Sequence, residues 1–175
     1  MNHSSTTPST IQAKDIMHTE VLSVYEGWSI QRLAEFFMKH KISGAPVIAA
    51  DHELVGVVSV SDIFHFENMD KEQKKSALQT CYRDVTNAEP NVVDLENWSK
   101  NAQYHCTVHQ IMAPYVISVA ETTALPEIAS LMLEQNIHRV FVTRDGCISG
   151  VISTSNILQV LAGESAPLST ANATT

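Results

Sequence analysis

The chain has 175 residues, of which 44% are hydrophobic and 17% charged, and its formal net charge is −8. That is enough apolar material for one compact domain or two small ones, and the acidic balance excludes a global field drawing the chain to nucleic acid or to an anionic membrane. No run is long and apolar enough to insert in a bilayer, and the opening MNHSSTTPST lacks the charged and apolar regions of a signal peptide. The three scattered cysteines, Cys81, Cys106 and Cys147, do not resemble a disulfide framework, so a reduced, cytoplasmic setting is expected.

In chain order, residues 1–12 read as a loose tail rich in Ser and Thr. Residues 13–66 form a first unit. It opens on DIMHTEVLSVYE, and a helix follows, with Ile30, Leu33, Ala34 and Phe37 spaced i, i+3, i+4, i+7 along one face. The apolar segment APVIA, a turn at Ala50-Asp51-His52 and the run LVGVVSV read as two strands of a hairpin. A second helix opens at Ser61-Asp62. Residues 67–107 are an insertion, with a charged helical segment DKEQKKSALQTCYRDV, a loop NAEPN, and VVDLENWSKNAQY. A connection this long is uncommon unless it has a role or is disordered; Val92, Val93, Leu95 and Trp98 suggest that part of it packs. Residues 108–162 repeat the first pattern, and 163–175 form a second tail.

The repeat is found by laying the chain on itself. Met17 meets Met112 at an offset of 95 (112 − 17), and Gly56 meets Gly150 at 94 (150 − 56) after one deletion in a turn. Identical pairs include Ile16/Ile111, Ser23/Ser118, Ala34/Ala129, Ser59/Ser153 and Ile63/Ile157. Leu125, Ile128, Ala129 and Met132 reproduce the helical spacing, with Pro126 in the first turn, where its missing N–H costs little. The expected fold class is α/β (α+β), a strand-helix-strand-strand-helix unit used twice. Each copy is too small to bury its own sheet well, so the two are expected to pack through their sheets about a pseudo-twofold axis.

The order I-M, helix, I-S-G-A-P-V, then G-V-V-S-V-S-D resembles a CBS (cystathionine β-synthase) repeat, and IM, NIHRVFV and GVISTSN resemble a second one. The resemblance covers roughly residues 13–66 and 108–162. Each motif alone is loose, and the duplicated combination is specific. It implies a regulatory module rather than an enzyme. Such a module binds AMP, ADP, ATP or S-adenosylmethionine in clefts between the repeats. It pairs into homodimers and regulates an enzyme or transporter, with no required cofactor.

The residues make physical sense in that role. In S-V-S-D, Ser59 is expected at a strand end, Ser61 at the helix cap and Asp62 in the first turn; Ser153 and Asn156 are the matching residues of the second repeat. A helix start offers unpaired N–H groups to an anion. Asp62 would repel phosphate but can accept hydrogen bonds from ribose hydroxyls. The other reading is a Ser-Asp pair that only caps the helix. Asn156 is neutral and less suited to a bidentate ribose contact, so two unequal clefts are expected. His138 and Arg139 are the candidate phosphate group, matched by uncharged Ser43 and Gly44 in the first repeat. The resemblance implies that they join Asp62 in a composite site; the alternative is a solvated basic pair. Val21, Ile42, Ala45 and Pro46 could line an adenine slot or simply be core.

Two rival functions remain. One is a structural or oligomerising pair that has lost its ligand. The other is a small metal-assisted enzyme using H-C-T-V-H at 105–109, whose two histidines stand four apart but lack further ligands.

Overall fold

The computed structural model describes residues 11–163, and these divide into two compact units. The repeat 1 unit is Leu22–Tyr115; the repeat 2 unit combines 11–21 with the described chain from Val116 onward. The first repeat contributes α1 (Ala13–Ile16), β1 (Val24–Tyr25), α2 (Ile30–His40), β2 (Gly44–Ile48), β3 (Leu54–Ser59) and α3 (Val60–Glu67). The insertion forms α4 (Lys71–Thr86), α5 (Val92–Ser99) and α6 (Ala102–His105). The second repeat contributes α7 (Val108–Ile111), β4 (Ser118–Ala120), α8 (Leu125–Glu134), β5 (Arg139–Arg144), β6 (Cys147–Ser153) and α9 (Thr154–Leu161). The fold is mixed α/β, with a three-stranded sheet in each unit, ordered β1-β2-β3 and β4-β5-β6.

Each sheet joins a parallel pair to an antiparallel hairpin. Val24 lies opposite Val47 across β1 and β2, and Val119 opposite Val142 across β4 and β5. The helix between those strands is the crossover that a parallel pair requires. In α2, Ser29 caps the start by accepting from the Arg32 N–H at 3.2 Å, and Lys41 ends the helix in the left-handed conformation with φ 53°. Ile30, Leu33 and Phe37 are its buried stripe; Leu125, Ile128 and Met132 are the buried stripe of α8. The β5–β6 hairpin closes through Asp145 and Gly146, with φ 53° and 80°, a turn in which both residues need positive φ. Pro46 sits in the central strand of its sheet, but β1 pairs with β2 only from Val47 onward, so its missing N–H interrupts no ladder.

The sequence repeats and the compact units do not coincide. α1 belongs to the repeat 2 unit and α7 to the repeat 1 unit. His18 exchanges both backbone hydrogen bonds with Val151 at 2.9 Å, and Ala113 does the same with Val57. Ala13 and Ile16 therefore complete the core of Leu125, Ile128, Val140, Val142 and Ile152. Val108 completes that of Val24, Leu33, Phe37, Val47 and Val58.

The insertion is packed. Leu78, Cys81, Ala102 and Cys106 bury themselves with Ile30 and Phe66 in a further cluster of the repeat 1 unit. Trp98 stacks on His105 with centroids 4.4 Å apart, and Tyr82 meets Trp98 edge-on at 4.9 Å.

Candidate functional site at the starts of α3 and α9

In both units the last strand runs directly into a helix. The chain turns at Ser59 (φ −132°, ψ 170°) and at Ser153 (φ −106°, ψ 164°), and these two serines are the N-caps. Ser61 is thus not the cap expected from the sequence. β3 continues through Ser59 and the helix begins at Val60, which places Ser61 one residue inside and exposed.

Asp62 reaches back to the cap. Its Oδ2 accepts from the Ser59 N–H and the Ser59 hydroxyl, both at 2.7 Å. Among the described residues, its Oδ1 accepts no hydrogen bond, and the side chain is half-buried. Capping and ligand reading therefore do not compete: one oxygen fixes the carboxylate and the other remains available.

Asn156 makes the same two contacts in the repeat 2 unit. Its Oδ1 accepts from the Ser153 N–H at 2.8 Å and from the Ser153 hydroxyl at 2.7 Å. The two caps differ only in the remaining atom. Asn156 Nδ2 lies 2.8 Å from His18 Nε2. The Ser153 N–H can only donate, so it fixes the amide with Oδ1 toward the cap and Nδ2 toward His18. Nδ2 donates, and His18 Nε2 accepts. Asn156 is 3% exposed and, among the described residues, the one polar side chain in the buried class. The residue matching His18 in the repeat 1 unit is Ala113, which offers Asp62 no such partner.

His138 and Arg139 flank this second helix start within their own unit. Arg139 lies opposite Ser153 across β5 and β6, and the His138 carbonyl accepts from the Thr154 N–H at 3.0 Å. Both side chains are exposed, and among the described residues neither is in an ion pair. The matching positions beside Asp62 are Ser43, whose carbonyl accepts from the Val60 N–H at 2.9 Å, and Gly44, opposite Ser59.

The apolar candidates divide by burial. Ala45 and Pro46 are buried in β2, Ala45 within the core of its unit; Ile42 is half-buried against that core. Val21, also half-buried, is the last residue of the first segment of the repeat 2 unit.

The H-C-T-V-H stretch is not one helix. His105 ends α6, Cys106 is an extended C-cap and Thr107 caps α7, so the histidines sit on separate elements. His105 is stacked on Trp98, and His109 Nδ1 lies 3.0 Å from Glu26 Oε2. Among the described residues, no three His, Cys, Asp or Glu side chains gather as a metal site would need. A shallow hollow of about 340 Å³ is lined by Met17, Thr19, Glu121, Arg144, Cys147, Ile148 and Ser149, none of them a candidate site residue from the sequence. Among the described residues, no helix is long and apolar enough to cross a membrane.

A duplicated sheet-and-helix unit with a capped serine-carboxamide or serine-carboxylate pair at each last helix defines a tandem-repeat α/β module. The family model of the CBS domain matches residues 13–68 and 108–163, and the chain belongs to the CBS domain family. An uncharacterised protein of Methanocaldococcus jannaschii is 30% identical over 156 residues, covering 85% of this chain and 89% of its own. The chloroplastic CBS domain-containing protein CBSX2 of Arabidopsis thaliana is 26% identical over 75% of this chain and 54% of its own length. Among solved structures, CBSX2 in complex with AMP has a TM-score of 0.60 at 23% identity, covering 87% of this chain and 96% of that one. The CBS domain pair of MJ0100, in complex with 5′-methylthioadenosine and S-adenosyl-L-methionine, has a TM-score of 0.55 at 21% identity, covering 88% and 98%.

Proposed function

We propose that this chain is a regulatory module that binds an adenine nucleotide or adenosine derivative. In this reading Asp62 receives the ribose hydroxyls, with Ser59 and Ser61 beside it, and His138 and Arg139 read phosphate. Val21, Ile42, Ala45 and Pro46 contribute apolar surface to adenine. The observation that carries it is Asp62: a half-buried carboxylate with Oδ2 fixed by Ser59 and Oδ1 open at a helix start. Such a group costs no ordering when it accepts from a diol. The AMP bound to CBSX2 and the adenosine derivatives bound to the MJ0100 domain pair support this ligand class. Ligand binding would shift the population of conformations and so the activity of a regulated enzyme or transporter, in the cytoplasmic setting that the free thiols suit.

Self-association belongs to the same proposal. Met38 and Leu133 occupy matching positions of the repeat and are 71% and 82% exposed; Phe64 and Leu158 also match, at 68% and 59%. Large apolar side chains left in water at the same place in both copies favour a homodimer. The ligand reading is tested by thermal shift with AMP, ADP, ATP and S-adenosylmethionine, because a ligand of the native state raises the melting temperature by mass action. At least one should raise it in a concentration-dependent manner. A flat response to all four would leave the module structural, the rival that the fully engaged Asn156 favours.

A further inference from the structure

We infer that His18 is an internal lock on the second helix start, engaging there the side-chain atom whose counterpart at Asp62 is left to a ligand, so that the module takes one adenosine-type ligand per chain. The inference rests on Asp62 being the ribose group. The two helix starts are matched atom for atom at the cap: Ser59 with Asp62 Oδ2, and Ser153 with Asn156 Oδ1. At the residues that face the cap, 62 and 156, they diverge at the contact of Asn156 Nδ2 with His18 Nε2 at 2.8 Å.

The lock follows from hydrogen-bond inventory. Asn156 has one carbonyl oxygen with two lone pairs and one amide NH2 with two donors; Ser153 takes both lone pairs and His18 takes one N–H. Rotating the amide would turn Nδ2 toward the Ser153 N–H, donor against donor, so Asn156 cannot release oxygen capacity to a diol without abandoning the cap. His18 is itself pinned, its backbone paired both ways with Val151 at 2.9 Å. A diol arriving here would have to replace a formed hydrogen bond to a 3%-exposed amide, a loss that removes most of its gain. At the first helix start the residue with the same backbone pairing is Ala113, which is exposed and leaves Asp62 Oδ1 open.

The test transplants one arrangement into the other. Calorimetric titration with AMP should give one site per chain for the wild type. His18→Ala combined with Asn156→Asp recreates the Ala113–Asp62 arrangement and should give two. Adding Asp62→Ala to that pair should return the count to one. Ala113→His, at an exposed position that leaves the core untouched, should lock Asp62 and weaken AMP at least tenfold; it decides the matter should the double variant fail to fold. Two AMP per wild-type chain, or an Ala113→His variant that binds as tightly as the parent, would overturn the lock and leave the nucleotide reading standing. A wild type that binds none of AMP, ATP and S-adenosylmethionine overturns the nucleotide reading and the lock with it.

Discussion

Met17 lies on Gly150 so closely that a Cβ at position 150 would sit 2.6 Å from the Met17 Sδ and 2.9 Å from the His18 carbonyl oxygen. Gly56 stands in the same relation to Met112 and Ala113, at 2.8 Å to the sulfur and 2.8 Å to the carbonyl oxygen. The two Met–Gly pairs dock the opening segment of each repeat onto the last strand of the other. Gly150→Ala and Gly56→Ala should each destabilise by about 1–3 kcal/mol, since the thioether can swing away but the paired backbone carbonyl cannot. Urea denaturation measures it; an unchanged midpoint for both would mean that the segments dock more loosely.

The insertion should behave as part of the repeat 1 unit. Leu78 is 2% exposed, in one cluster with Ile30 and Phe66. Leu78→Ala should therefore cost about 2–5 kcal/mol, the range for a large-to-small core change. Limited proteolysis should spare the helical parts of 71–105 in the wild type and open them in the variant. Cleavage throughout this region in the wild type would show a flexible linker instead.

What the sequence made legible follows from local periodicity. The spacing of Ile30, Leu33 and Phe37 places one buried face on α2, and Leu125, Ile128 and Met132 do so for α8. The hairpins were marked by β-branched runs and by Asp145-Gly146. The four-residue helices α1 and α7 left no such signal, being shorter than two turns. Their crossing to the opposite repeat's unit involves contacts such as His18 to Val151, which no local pattern encodes. The cap at Ser59 rather than Ser61 turns on a single dihedral pair at a strand-to-helix junction. Asn156 is visible as a departure from Asp, but no local pattern pairs it with His18, because the two are 138 residues apart.

Asn156 should also contribute to stability, since its amide is buried and engaged on both sides. Asn156→Ala removes the acceptor from Ser153 and leaves the half-buried His18 Nε2 without its donor, and should cost about 1–3 kcal/mol. Asn156→Asp keeps the cap contacts and should cost less. Thermal unfolding of both distinguishes them; equal losses would mean that the Ser153 contacts contribute little.

Self-association should depend on the exposed apolar positions shared by the repeats. Met38→Glu with Leu133→Glu leaves both buried helix faces intact, since these side chains are 71% and 82% exposed. Light scattering should show a dimer for the wild type and a monomer for this variant, or for the matching change at Phe64 and Leu158. A monomeric wild type at high concentration would remove the homodimer from the proposal.

The sharpest test of the ligand roles separates ribose from phosphate. Asp62 offers an open carboxylate oxygen, which can accept from hydroxyls and would repel phosphate. Arg139 is exposed and, among the described residues, in no ion pair, so its guanidinium is free to take phosphate oxygens in bidentate fashion. Asp62→Ala should weaken adenosine, AMP and ATP alike. Loss of one charged hydrogen-bonding partner is worth roughly 1.5–3 kcal/mol, or about ten- to a hundredfold in affinity. Arg139→Ala should weaken AMP and ATP by a similar factor and leave adenosine nearly unchanged; His138→Ala should show the same selectivity at smaller size. Asn156→Ala should change AMP affinity less than Asp62→Ala does, because its amide is already engaged by His18. Calorimetry with adenosine beside AMP reads all four variants on one scale. Parental affinity in Asp62→Ala would remove the ribose role. Equal weakening of adenosine and AMP in Arg139→Ala would show that Arg139 shapes the protein rather than reading phosphate.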